Sequence, residues 1–86
     1  MDKRLDEIIE RVRTEVDYAT TLYPAFNSAH EGISVLKEEV DELWTEVKVK
    51  QGKRNVDNMR QEAIQVAAMA IRFAYDICRT EESGQK

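Results

Sequence analysis

Pro24 and Gly52 divide this chain into three stretches, and in each the apolar residues recur every three or four positions. That spacing puts them on one side of an α-helix, so the chain reads as three amphipathic helices joined by two short turns. The first is expected from about Asp2 to Leu22, with Leu5, Ile8, Ile9, Val12, Val16 and Ala19 on its inner face. Tyr23-Pro24 ends it, because the residue before a proline avoids the helical region. Phe26, in the connection, is expected to tuck into the core. Ser28-Ala29-His30-Glu31 has capping-box spacing: the Ser28 hydroxyl takes the Glu31 N–H, and the Glu31 carboxylate reaches back toward Ser28.

The second helix is expected from Ala29 to Lys50. Its apolar stripe is Ile33, Leu36, Val40, Leu43, Trp44 and Val47, which at about 100° per residue cluster within roughly 100° of arc. Gly52 is expected to end this helix in the left-handed conformation, and Asn55 or Asp57 to cap the next. The third helix is expected from Asp57 to Arg79. Apolar residues from Ala63 to Cys78 cover most of its circumference, leaving a narrow polar strip of Gln65, Arg72 and Asp76. A helix apolar nearly all round needs cover on several sides. With three helices in 86 residues, the expected architecture is all-α, three helices per chain, with another subunit covering the remaining apolar sides of the third. Residues 1–80 form one domain in this reading, and residues 81–86 a disordered tail.

Composition narrows the function classes. A net charge of −4 gives no basic footprint for a nucleic-acid polymer and disfavours an anionic membrane surface. No apolar run approaches the roughly 18 residues of a membrane helix. The charged start, Met1-Asp2-Lys3-Arg4, is unlike a secretion signal, so a cytoplasmic protein is expected. Cys78 is the one cysteine, which excludes an internal disulfide, and it is expected to be a packed thiol.

The chemistry is carried by acids. Glu38-Glu39-Val40-Asp41-Glu42 places four carboxylates in the second helix, and Glu46 follows one turn later. Glu39 and Glu46 lie at the border of the apolar stripe, with Glu42 beside them and further out. Glu38, Glu42 and Glu46 succeed each other at four-residue spacing, where like charges repel by roughly a few tenths of a kcal/mol each unless a cation intervenes. Glu62 lies on the apolar side of the third helix, with Met59, Val66, Met69 and Phe73. An unpaired carboxylate there is costly, so a hard divalent cation between the helices is the favoured reading. A di-iron site would need Glu-x-x-His, and the one histidine, His30, follows Asn27 at that spacing.

Glu38-Glu39-x-x-Glu42, followed on the next helix by Glu62-x-x-Gln65, resembles the MazG-like branch of the all-α nucleoside triphosphate pyrophosphohydrolases. The likeness extends over roughly Ser28 to Arg79 and is that of a small phage-type or bacterial member. The family pattern is Glu-x-x-Glu on one helix and Glu-x-x-Asp on the next. The resemblance implies that Glu39, Glu42 and Glu62 are metal ligands, for Mg2+ or alternatively Mn2+. Gln65 stands where the pattern has Asp; its carbonyl oxygen is a neutral, poorer ligand. Fewer ions, recruitment of Glu38 or Glu46, and loss of catalysis all stay open. The resemblance also implies homodimers or homotetramers in which helices of two subunits complete a four-helix-bundle core.

The expected activity is therefore hydrolysis of a (deoxy)nucleoside triphosphate to monophosphate and pyrophosphate, with a catalytically impaired helical assembly or nucleotide-binding protein as the alternative. Glu38 or Glu46 would take the proton of the attacking water. Arg72, on the polar strip with Gln65, is a candidate phosphate contact. His30 is a candidate polar contact near the site, and Lys53 a weaker contact in a basic turn. Trp44 is expected in the core, with stacking on a base as its alternative role.

Overall fold

In the computed structural model, which describes residues 2–79, the chain forms three helices: α1 (Lys3–Leu22), α2 (Ala29–Val47) and α3 (Val56–Phe73). Among the described residues there is no strand. A single 3₁₀ turn, Gln51–Lys53, precedes α3, and a π-helical segment, Ala74–Cys78, continues it. The residues expected as a tail, 81–86, lie outside the described part.

Each boundary has a local cause. The Asp2 carboxylate accepts the Arg4 N–H and caps α1. Tyr23 is extended, with φ −128° and ψ 144°, as the following proline requires. The Ser28 hydroxyl accepts the Glu31 N–H at 3.1 Å, and Glu31 Oε1 accepts the Asn27 N–H at 2.6 Å. The capping box therefore closes one residue earlier than its usual form. Asn55 caps α3 by accepting the Asn58 N–H.

The end of α2 differs from expectation. It stops at Val47, short of Lys50. Arg54 Nε donates to the Val47 and Val49 carbonyls at 2.8 and 3.2 Å, satisfying groups that a helix end leaves open. Gly52 is not left-handed, since no described glycine has positive φ; it sits inside the 3₁₀ turn.

α3 is the shared partner: α1 packs on one side of it and α2 on another. The core is Val12 and Ala19 from α1 with Ile64, Ala68 and Met69 from α3, and Val16, Phe26, Val35, Leu36 and Ala67 pack around it. Ala68 is fully buried, as a small residue is where helices approach closely. Gly32 serves the same purpose on α2. A Cβ built there would lie 2.6 Å from Phe73 Cδ2 and 3.3 Å from Phe26 Cδ2, so the two rings occupy the space a side chain would need.

Three expectations about burial are corrected. The buried side of α2 is turned away from Ile33, Val40 and Trp44, which are 43%, 46% and 56% exposed, toward Gly32, Leu36, Glu39 and Leu43. Trp44 is therefore not in the core of the chain. Cys78 is exposed rather than packed. Arg72, expected on a polar strip, is only 5% exposed.

Candidate metal centre and adjoining cavity

Glu39 and Glu42 lie three positions apart on α2, so they project from neighbouring turns on one side. Glu62 lies in the second turn of α3 and faces them across the interhelical seam. One carboxylate oxygen from each of the three comes within 4.8 Å of the others. Three acids this close repel strongly unless protons or a cation lie between them.

Both flanking acids register that repulsion. Burial raises the Glu39 pKa above the ordinary glutamate value, and the charges of Glu42, Glu62 and Glu38 push it further. Burial also raises that of Glu62, followed by the charges of Glu42 and Glu46. Glu42 is within hydrogen-bonding reach of both.

Glu62 Oε1 gives the sharpest observation. It is shut off from solvent and no donor reaches it, the side chain within reach, Glu42, being another carboxylate. A buried acceptor without a donor loses hydration and recovers nothing, at a cost of about 1–3 kcal/mol or more when charged. A hard divalent cation would satisfy it, because such ions take carboxylate oxygens as ligands. The donor set, three carboxylates from Glu39, Glu42 and Glu62, is chemically compatible with a hard divalent cation.

Beside the cluster opens a cavity of about 500 Å³. Glu38, Glu39 and Gln65 line it, together with Tyr18, Tyr23, Pro24 and Phe26. Its size lies within the usual range for small-molecule pockets, about 300–1,000 Å³. Carboxylates and aromatic rings share its lining, Glu15 and Glu31 adding two further acids to Glu38 and Glu39.

The sequence-stated candidates are distributed unevenly around this geometry. Glu39, Glu42 and Glu62 are brought together. Of these three only Glu39 lines the cavity, where Glu38 and Gln65 accompany it; Glu42, Glu62 and Glu46, whose charge acts on Glu62, do not line it. His30, Trp44 and Lys53 do not line it either. Arg72 does, but its Nη2 donates to the Pro24 carbonyl at 2.8 Å and lies 3.9 Å from Asp76 Oδ2. Its guanidinium is thus engaged within the protein rather than displayed on a solvated strip. Tyr18 and Tyr23 were not singled out from sequence. The available signal was the clustering of aromatic residues around Pro24, where α1 must end. No family model, curated protein or solved structure matches the chain.

Proposed function

We propose that this chain is a divalent-metal-dependent pyrophosphohydrolase of nucleoside triphosphates, similar to the MazG-like enzymes. The observation that carries the reading is the three-carboxylate cluster with its orphaned Glu62 oxygen, linked through Glu39 to a cavity lined by tyrosines and Phe26. Glu39, Glu42 and Glu62 would hold Mg2+, or Mn2+ in its place. A bound ion of this kind neutralises phosphate charge and lowers the pKa of water.

The chain's own residues supply the rest. Glu38 is exposed and lines the cavity beside Glu39, so it is placed to accept a proton from water attacking a phosphate there. Glu46 does not line the cavity, which favours Glu38 as the base. Tyr18, Tyr23 and Phe26 provide rings against which a base can pack. Gln65 can direct a side-chain amide at the substrate or offer its carbonyl oxygen to the ion.

A self-associating protein is part of the same proposal. Ile33, Val40 and Trp44 form an uncovered apolar row on α2, and a second copy of the chain is the partner proposed for it. No helix among the described residues is long and apolar enough to cross a membrane.

The second reading, a nucleotide-binding relative without turnover, is favoured by Gln65 alone, which leaves three acids where the resembled pattern has four. The two readings separate on single variants. Glu42→Gln and Glu62→Gln should each abolish metal-dependent pyrophosphate release while circular dichroism stays helical. Undiminished release from both variants would remove these residues from the mechanism.

A further inference from the structure

Arg72, itself a lining residue, and Asp76, which does not line the cavity, hold the α1–α2 connection that forms part of its wall. Arg72 Nη2 donates to the Pro24 carbonyl at 2.8 Å, and the Phe26 N–H donates to Asp76 Oδ2 at 3.1 Å. The Arg72 guanidinium also lies over the Phe26 ring, 4.8 Å from its centroid. Two charged side chains of the third helix, 5% and 13% exposed, therefore grip alternate residues of the α1–α2 connection. That connection would otherwise be an exposed loop, since Pro24 and Ala25 are exposed. Buried charges in low-dielectric surroundings are retained only when well partnered, and here the loop backbone supplies partners to both.

The gripped residues are functional walls. Pro24, Ala25, Phe26 and Arg72 all line the cavity, as do Glu38, Glu39 and Gln65. Phe26 additionally closes on Gly32, which ties the loop to the start of α2. Moving the loop would therefore change the width of the cavity without disturbing the acids.

We propose that Arg72 and Asp76 are positioning residues that latch Pro24–Phe26 onto the third helix and so fix the cavity wall against which the nucleotide packs. The latch stands on the hydrogen bonds and the ring contact; its effect on substrate rests on the pyrophosphohydrolase reading. Arg72 thus acts through the loop rather than as a phosphate ligand. When only a fraction of molecules holds the competent wall, apparent affinity falls by that fraction while the chemical step is untouched.

The test pairs amide exchange with kinetics. By NMR, the Phe26 amide of the wild-type protein should exchange slowly, as a loop amide does only when it is hydrogen-bonded. Asp76→Ala should speed it by about tenfold or more and raise KM for a nucleoside triphosphate by about tenfold, with kcat unchanged. Asp76→Asn keeps an oxygen acceptor at the same place and should restore much of both. Arg72→Lys, unable to cover the Phe26 ring as a planar guanidinium does, should raise KM without lowering kcat. A Phe26 amide that exchanges freely in the wild-type protein overturns the latch, and that measurement holds even if Asp76→Ala does not fold. A fall in kcat rather than a rise in KM for Arg72→Lys overturns the positioning role and makes Arg72 a substrate contact. If no nucleotide is hydrolysed, the pyrophosphohydrolase reading fails, and the exchange data still decide the latch.

Discussion

Replacing Glu62 by Gln should make the metal-free protein more stable and at the same time blind to magnesium. In the wild-type cluster, oxygens of Glu39, Glu42 and Glu62 lie within 4.8 Å of one another. Two full charges at 4.8 Å repel by about 0.9 kcal/mol in water and about 3.5 kcal/mol at an effective dielectric of about 20. Glu42 is exposed and the other two are half-buried, so the lower end applies. Two neighbours then give roughly 1–2 kcal/mol of repulsion, all of which Gln removes at mildly alkaline pH. In a domain of this size, that is about 4–8 °C in Tm per kcal/mol. Magnesium at about a hundred times its Kd should stabilise the wild type by about 2.7 kcal/mol and the variant by nothing. The assay is thermal denaturation at fixed protein concentration, in EDTA and in magnesium. A Glu62→Gln protein that melts lower than wild type in EDTA, or that keeps the full magnesium shift, would refute the electrostatic reasoning.

Other outcomes follow from the same geometry. The folded-state pKa values of Glu39 and Glu62 are raised, burial being the first cause and neighbouring carboxylates the second. Their stabilising contribution is fully present below the ordinary glutamate pKa of about 4.3 and is lost as pH rises through the raised values. Metal-free Tm of the wild type should therefore fall across that window relative to a Glu39→Gln/Glu62→Gln double variant, and saturating magnesium should remove most of the difference; parallel pH profiles in EDTA would contradict it. Gly32→Ala should lower Tm although alanine favours helix by about 0.8–1.0 kcal/mol, because displacing the Phe73 ring costs about 1–3 kcal/mol. Adding Phe73→Leu should recover part of that loss, and strict additivity of the two changes would rule out the contact as its cause. Val40→Lys with Trp44→Lys should reduce the sedimenting mass to that of one chain while helicity persists; a wild-type protein already monomeric at micromolar concentration would contradict the proposed self-association.

Local signals carried much of this fold into the sequence. Pro24 ends α1, Ser28 and Glu31 start α2, and Asn55 starts α3, each through a contact within a few residues. The acid cluster was legible for a related reason: helical spacing alone puts Glu39 and Glu42 on one side, and Glu62 stood out as a charge among apolar neighbours. What escaped was non-local. Gly32 looks like an ordinary weak helix former until Phe73 and Phe26 are seen filling its empty side. The partners of Arg72 and Asp76 are loop backbone groups some two helices earlier in the chain, and backbone acceptors and donors carry no residue-type signature. The apolar stripe on α2 was real, but its most regular members are exposed. α3 packs toward the acid border instead, because the approach there is opened by Gly32 and the stripe is wider than one helix covers. The excess apolar surface assigned to α3 thus reappears in part on α2. Arg54 also found a role that a charged turn does not announce, closing the carbonyls at the end of α2.

Pyrophosphate release from a panel of canonical and modified ribo- and deoxynucleoside triphosphates, with magnesium and with EDTA, tests the central claim most directly. The account predicts metal-dependent release of pyrophosphate and the corresponding monophosphate from at least one of them. A folded, helical protein that releases none from any, with magnesium or manganese present, would contradict it.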